Sequence, residues 1–396
     1  MTAHQMTSIQ PSSRLAPTAL MLGNIVTGCS VLAPAGLLPQ LAEGLSVEVH
    51  TAGLLITFGA VVLCICSPLT AWLTSRFDRR LLLAVTLLVL SLGNLASAFA
   101  PDYASLLAIR LVMLAVGALY TPQAAGTAAL ISPVEKRGST IAYVFLGWSL
   151  AAAVGLPLIT FIGSHTGWRN AYLAVAAAGA ISFGLLTWRL PSGLKGAPVE
   201  LTTWIALGRN RLVVLLLLIT MLQMSGQFVI FTFMGPLLTK LTGADPNQVG
   251  LVFAIYGVCG FLGVVIATRI VDGWGAYRTS LLFSCLLFTG IALWTIGAGA
   301  YALMAGAVAV WGLGFASTNS MQQVRLVAAA PPLASASVSL NTSVLYIGQA
   351  IGSAVGGSLF ARDALGATGP VAMGFVVLAL LAILASRPRV PVAAMA

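Results

Sequence analysis

Charge is what this sequence has least of. Only 7% of its 396 residues are Asp, Glu, Lys or Arg, against about 25% in an ordinary soluble domain. With 59% of residues hydrophobic, too few polar side chains exist to cover a water-facing surface. A soluble globular protein is excluded, and lipid must be the solvent for most of the exterior. Acidic residues are the scarcest: Glu43, Glu48, Asp78, Asp102, Glu135, Glu200, Asp245, Asp272 and Asp363, all in loops or at the ends of apolar runs. His4, His50 and His165 also lie outside the apolar interiors. No cluster of nucleophile, base and metal ligands forms, so an enzyme is not expected. The five cysteines (Cys29, Cys64, Cys66, Cys259, Cys285) sit in apolar runs, where they read as small packing residues. Cys64 and Cys66 have no nearby His or further Cys, so neither a metal site nor a disulfide framework is predicted. No Gly-xxxx-Gly-Lys-Ser/Thr loop occurs, which leaves an ion gradient or the cargo's own gradient as the energy source. The net charge of +10 is scattered over short loops without a basic patch, so no nucleic-acid partner is expected. No cofactor is implied.

What the chain does have is long apolar runs. Crossing a bilayer takes about 20 apolar residues. Runs of that kind predict spans at 18–39, 51–73, 81–100, 103–131, 139–163 and 170–189. A second set follows at 212–238, 247–269, 278–298, 301–323, 337–360 and 369–386. Residues 1–17 are polar and lack a cleavable-signal pattern, so the first run is expected to be retained as a helix. The longest polar segment, 189–211, carries Pro191, Gly193, Lys195, Pro198 and Glu200. It divides the chain into an N-terminal six-helix bundle (1–190), a linker (191–211) and a C-terminal six-helix bundle (212–396). The expected fold class is therefore an all-α polytopic membrane protein built from parallel repeats.

Basic residues set the orientation. With the N-terminus inside, fifteen of the 19 Lys and Arg fall on the inner face, and three (Arg169, Lys240, Arg362) fall on the outer face. Arg110 lies within a span. Both termini are expected in the cytoplasm, with the protein in the inner membrane.

Several segments carry recognisable patterns. The turn after the second run reads Ala71-Trp-Leu-Thr-Ser75-Arg76-Phe77-Asp78-Arg79-Arg80. The turn after the eighth reads Thr268-Arg269-Ile-Val-Asp272-Gly273-Trp274-Gly275-Ala276-Tyr277-Arg278. The fourth run has Arg110 followed by Gly117. The fifth has Gly147, Gly155-Leu156-Pro157 and Gly163. The eleventh has Gly348-Gln349, Gly352 and Gly356-Gly357. Together these resemble the major facilitator superfamily, specifically its twelve-span drug:proton antiporter branch and the bacterial arabinose-efflux-permease-like, nucleoside and chloramphenicol exporters. The first turn resembles the superfamily's Gly-xxx-Asp-Arg-x-Gly-Arg-Arg signature. Ser75 replaces its Asp, while Ala71 and Asp78 replace its Gly residues. The fifth run resembles the antiporter signature Gly-xxx-Gly-Pro-xx-Gly-Gly, with Leu156 inserted between Gly and Pro. The resemblance implies a secondary active exporter whose bundles rock about a central site, with proton antiport as the usual coupling. An importer or facilitator of a small metabolite is the alternative, and a membrane sensor is the less favoured one, because every loop is short. The resemblance also implies gating or conformational roles for Arg76, Asp78, Arg79, Arg80, Gly155, Pro157, Asp272, Gly348, Gly352 and Gly356.

By the same resemblance the first, fourth, seventh and tenth spans line the site, with help from the second, fifth, eighth and eleventh. The embedded polar and aromatic residues there are Asn24, Thr27, Arg110, Tyr120, Gln123, Gln223, Gln227, Tyr256, Trp311, Asn319, Asn341, Tyr346 and Gln349. An amide without a partner is costly in lipid, so each faces either the cargo or another helix. Arg110 is either a cargo or coupling residue or a structural tie to a neighbouring helix. Proton-coupled members often place a carboxylate in the first span, and 25–35 contains none here. The expected cargo is a neutral or anionic small molecule such as a sugar, nucleoside or antibiotic. The expected partners are that cargo, the bilayer and coupled protons, with the chain acting as a monomer.

Overall fold

The computed structural model describes residues 15–74, 77–133, 137–195 and 207–387. Among them are 12 helices long and apolar enough to cross a membrane. These are α1 (Ala16–Gly44), α2 (Val49–Thr70), α3 (Arg79–Ala98), α4 (Tyr103–Ile131), α5 (Tyr143–Thr166) and α6 (Trp168–Arg189), then α7 (Arg211–Phe231), α8 (Pro246–Trp274), α9 (Ala276–Ile296), α10 (Tyr301–Ala329), α11 (Ala336–Ala361) and α12 (Leu365–Ala385). The expected runs all appear, several longer at their polar ends, where backbone bonds stay closed although the side chains turn polar.

Acidic side chains begin helices rather than enter them. Asp78, Asp102 and Asp245 cap α3, α4 and α8 by accepting backbone N–H groups of Leu81, Ser105 and Gln248 at 3.0, 2.8 and 2.9 Å. Each satisfies an otherwise orphaned donor and complements the helix dipole. The Ser105 backbone and hydroxyl hold the Asp102 carboxyl below the usual carboxylate range.

Three helices are broken in ways that apolarity does not reveal. The span called α4 turns at Ala118–Leu119, which accounts for its unusual length. The chain of α7 turns at Thr232–Phe233 and resumes as Met234–Thr242. In α5, residues Ala151–Gly155 form a π-turn, with the Leu156 N–H reaching back to the Ala151 carbonyl. Pro157 explains this: it has no N–H to return to the preceding turn, and one extra residue accommodates its ring.

The two sets of six pack alike. Gly147 of α5 sits against the Met21 carbonyl and Asn24 of α1, and Gly348 of α11 sits against the Met221 carbonyl and Met224 of α7. The same three-residue offset recurs, so the halves are built as a repeat. α1 and α7 are the most buried helix of each set.

The two ends of the molecule differ. We call the end bearing the α6–α7 connection the linker face and the other the far face. Toward the far face, residues of both halves share one apolar core, including Leu37, Leu41 and Leu55 with Phe228, Phe231 and Phe233. Phe233, placed by the break in α7, lies against Gly53 of α2 and stacks on Phe360 at 5.3 Å. Thr57 of α2 donates to Ser353 of α11 at 3.0 Å. Toward the linker face the cores are separate, with only Leu345 and Tyr346 of α11 joining that of the first half.

Candidate substrate cavity

Where the cores part, a cavity of about 370 Å³ lies between the halves. Ile141, Thr268 and Gln323, near the linker-face ends of α5, α8 and α10, line it, so it opens toward that face. Its two walls have different chemistry. The first half contributes mainly apolar and aromatic surface: Leu32, Phe145, Leu146 and Trp148, with Thr121 and Ser149 as the polar exceptions. The second half contributes Asn319, Ser320, Gln323, Thr342, Tyr346 and Gln349, along with Phe228, Phe261 and Phe315. Among the described residues, no Asp, Glu, Lys, Arg or His lines the cavity.

Hydrogen bonding separates the side chains held by protein from those left for cargo. Trp148 donates its indole N–H to Thr121 at 3.0 Å, Thr121 donates to Asn24 at 2.9 Å, and Asn24 donates to the Val144 carbonyl at 2.9 Å. In the second half Thr220 donates to Asn341 at 2.7 Å, and Asn341 donates to Asn319 at 2.8 Å. Each chain joins the first, fourth and fifth helices of its half; the first fixes the cavity residues Trp148 and Thr121, the second Asn319. By contrast, the side chains of Gln349, Tyr346, Ser320 and Gln323 bond to no other described residue. Gln349 is only 3% exposed. A buried amide without a protein partner needs one from water or ligand.

The predicted residues therefore divide. Asn319, Tyr346 and Gln349 line the cavity. Asn24 and Asn341 stand one hydrogen bond behind it. Gln227 accepts from Trp311 at 3.2 Å and Tyr256 at 3.5 Å, a buried knot beside the cavity residue Phe315, which packs on Tyr256. Gln223 donates to Ser284 at 2.7 Å, away from the cavity. Thr27 donates to the Gly23 carbonyl of its own helix, and Tyr120 to the Leu20 carbonyl of α1. Gln123 is buried outside the lining.

Arg110 also lies away from the cavity. It is 1% exposed, donates to the Ser30 carbonyl at 2.8 Å and to Tyr172 at 3.4 Å, and lies over the Tyr172 ring. It ties α4 to α1 and α6. α10 continues past 323, so Arg325 is helical and buried, bonded to Ser386 at the end of α12. Sequence reading missed Thr121, Trp148, Ser149, Thr268, Ser320, Gln323 and Thr342. Trp148 carried the one usable signal, a polar-tipped aromatic beside the packing residue Gly147.

Two overlapping stretches of the chain, residues 20–237 and 216–394, match the pattern described as Major Facilitator Superfamily. The chain belongs to this superfamily. Inner membrane transport protein YdhP of Escherichia coli (strain K12) is 31% identical over 379 residues, covering 94% of this chain and 96% of that protein. Chloramphenicol efflux pump Rv0191 of Mycobacterium tuberculosis is 29% identical over 339 residues, covering 83% and 82%. Among solved structures, nucleoside transporter NupG superposes with a TM-score of 0.77 at 13% identity, over 94% of this chain and 100% of that one. The D-xylose-proton symporter gives 0.74 at 16%, over 94% and 97%. This superfamily member is thus a multi-pass membrane transporter of a small molecule.

The superfamily's signature positions can now be located. Arg76 lies outside the described residues. Asp78 also accepts the Gly193 N–H, the Arg79 N–H donates to the Leu194 carbonyl, and the Arg80 guanidinium donates to the Thr187 carbonyl. This turn pins the end of α6 and the start of the linker. Asp272 is exposed near the end of α8. Gly155 and Pro157 frame the π-turn, where Gly257 of α8 lies on the backbone of Ala152 and Ala153. That contact crosses between halves. Gly348, Gly352 and Gly356 do not cross: they pack on the Met221, Ser225 and Val229 carbonyls of α7, within the second half.

Proposed function

We propose that this transporter exports a neutral, amphipathic small molecule across the inner membrane by alternating access. The bundles 1–190 and 212–396 are its moving halves, 191–211 the hinge between them, and the working unit is a monomer. The fifteen-to-three bias of basic residues supports cytoplasmic termini. That bias turns the linker face, and with it the open cavity, toward the cytoplasm, where an exporter takes up cargo. The antiporter-like π-turn of α5 and the efflux relatives support the same direction.

The observation that carries this reading is the cavity lined by no charged described residue, mainly apolar on one wall and bearing all its amides, among further aromatics, on the other. A charged cargo would lose its hydration there without gaining a counter-charge. A molecule with one apolar face and one hydrogen-bonding edge satisfies both walls. This narrows the expected cargo to the neutral class, because Arg110 is turned away from the cavity. Nucleosides, glycosides and neutral amide antibiotics share this two-faced shape.

Chloramphenicol and its anionic succinate ester form a suitable probe pair for equilibrium binding to the purified protein. Binding of the neutral compound at least tenfold tighter than the ester is expected. Gln349→Leu should weaken it about three- to tenfold, the worth of one neutral hydrogen bond, without lowering the melting temperature. Equal binding of both compounds would overturn the assignment of a neutral cargo.

A further inference from the structure

We infer that this chain, unlike a proton antiporter, moves its cargo without a coupled proton. The inference rests on the neutral-cargo reading above and concerns the energy source. A coupled proton needs a carrier that gains and loses it within the physiological range, reachable from each side in turn. Every described carboxylate and imidazole can be accounted for. Glu43, Glu48, Asp102, Asp245, Asp272 and Asp363 are exposed at helix ends, as is His165. Asp78 is engaged by the Leu81 and Gly193 N–H groups. His50 pairs with Glu48 at 2.8 Å beside the start of α2. His4, Glu135 and Glu200 belong to polar sequence segments outside the apolar runs. None of the described ones lines the cavity, and all sit in the terminal turns of helices or in loops.

The remaining embedded ionisable groups do not serve. A guanidinium group does not exchange its proton in the physiological range, so arginine is not a proton carrier. Each embedded arginine is bonded within its own half, Arg110 to Ser30 and Arg325 to Ser386. Ordinary thiols and phenols hold theirs up to about pH 8.5 and 10. The empty and loaded carrier therefore have the same charge, and the cycle is electroneutral. Neither a pH gradient nor a membrane potential does work on it.

A consequence follows for the cargo. A downhill carrier removes only what exceeds the outside concentration. It relieves the overflow of a neutral product made by a cytoplasmic reaction, and it cannot hold an external toxin below its outside level.

Two measurements test this together. Proteoliposomes equilibrated with labelled chloramphenicol are given a pH gradient or a potassium-diffusion potential. Infrared spectra of the purified protein are recorded from about pH 6 to 8, well above ordinary carboxyl pKa values. The expected results are equilibration without accumulation, the same rate under either gradient, and no carboxylic-acid C=O band that titrates. One-to-one coupling to a gradient of about one pH unit would instead give roughly tenfold accumulation. That accumulation, or a titrating carboxylic-acid band, overturns the inference. If chloramphenicol does not move at all, the cargo reading fails for that probe, and the infrared result alone decides coupling.

Discussion

Arg110 is a buried cation with no ion pair among the described residues, and its contacts determine what its loss should do. Its guanidinium holds the Ser30 carbonyl and the Tyr172 hydroxyl, and Ser30 in turn accepts from Asn94 at 2.8 Å. Arg110→Ala should cost about 2–3 kcal/mol of stability, the usual loss for a hydrogen bond to a charged group. The protein that remains folded should bind cargo unchanged. A thermal-shift measurement paired with equilibrium binding checks this. Weaker binding at unaltered stability would return Arg110 to the cargo site. The sequence could show that Arg110 and the amides must be satisfied, but not by what. Gln223 and Gln227 lie four apart on one face, yet one is bonded to Ser284 and the other to Tyr256 and Trp311. Gln349 alone among the predicted glutamines reaches the cavity. Which neighbour an amide meets depends on helix rotation and tilt, and one sequence does not encode those visibly.

Helices were the most legible level, because twenty apolar residues in lipid have little alternative to a helix. Their interruptions were less so. The turns in α4 and α7 sit inside apolar stretches, while the π-turn of α5 was foreshadowed by Pro157. The small-residue patterns showed that backbones approach, without saying across which interface. That difference gives contrasting mutants. A side chain at Gly257 would meet the Ala153 backbone across the two halves, and one at Gly352 would meet the Ser225 carbonyl within the second half. Gly257→Val should leave membrane levels near normal and cut transport at least tenfold, because the halves must separate there while each stays intact. Gly352→Val should instead lower the amount of folded protein, because the backbone it strikes belongs to its own bundle. Expression and flux measured on the same samples distinguish the two. Matched losses in both variants would contradict the assigned interfaces.

At the scale of the whole molecule, the far-face contacts named between the halves are uncharged: the Thr57–Ser353 hydrogen bond and the packing of Phe233 against Gly53, while the Lys240–Asp363 pair beside Phe360 lies within the second half. The linker face is open over an uncharged cavity. Neutral seals of this kind break and reform without moving charge, which suits a carrier whose cargo is also neutral. The most direct test replaces Cys29, Cys64, Cys66, Cys259 and Cys285, then introduces Thr57→Cys and Ser353→Cys so that oxidation can bridge α2 to α11. With the bridge closed, transport should stop, a cysteine placed at Gln323 should still react from the linker side, and reduction should restore flux. Undiminished transport through the bridged protein would contradict alternating access between these halves.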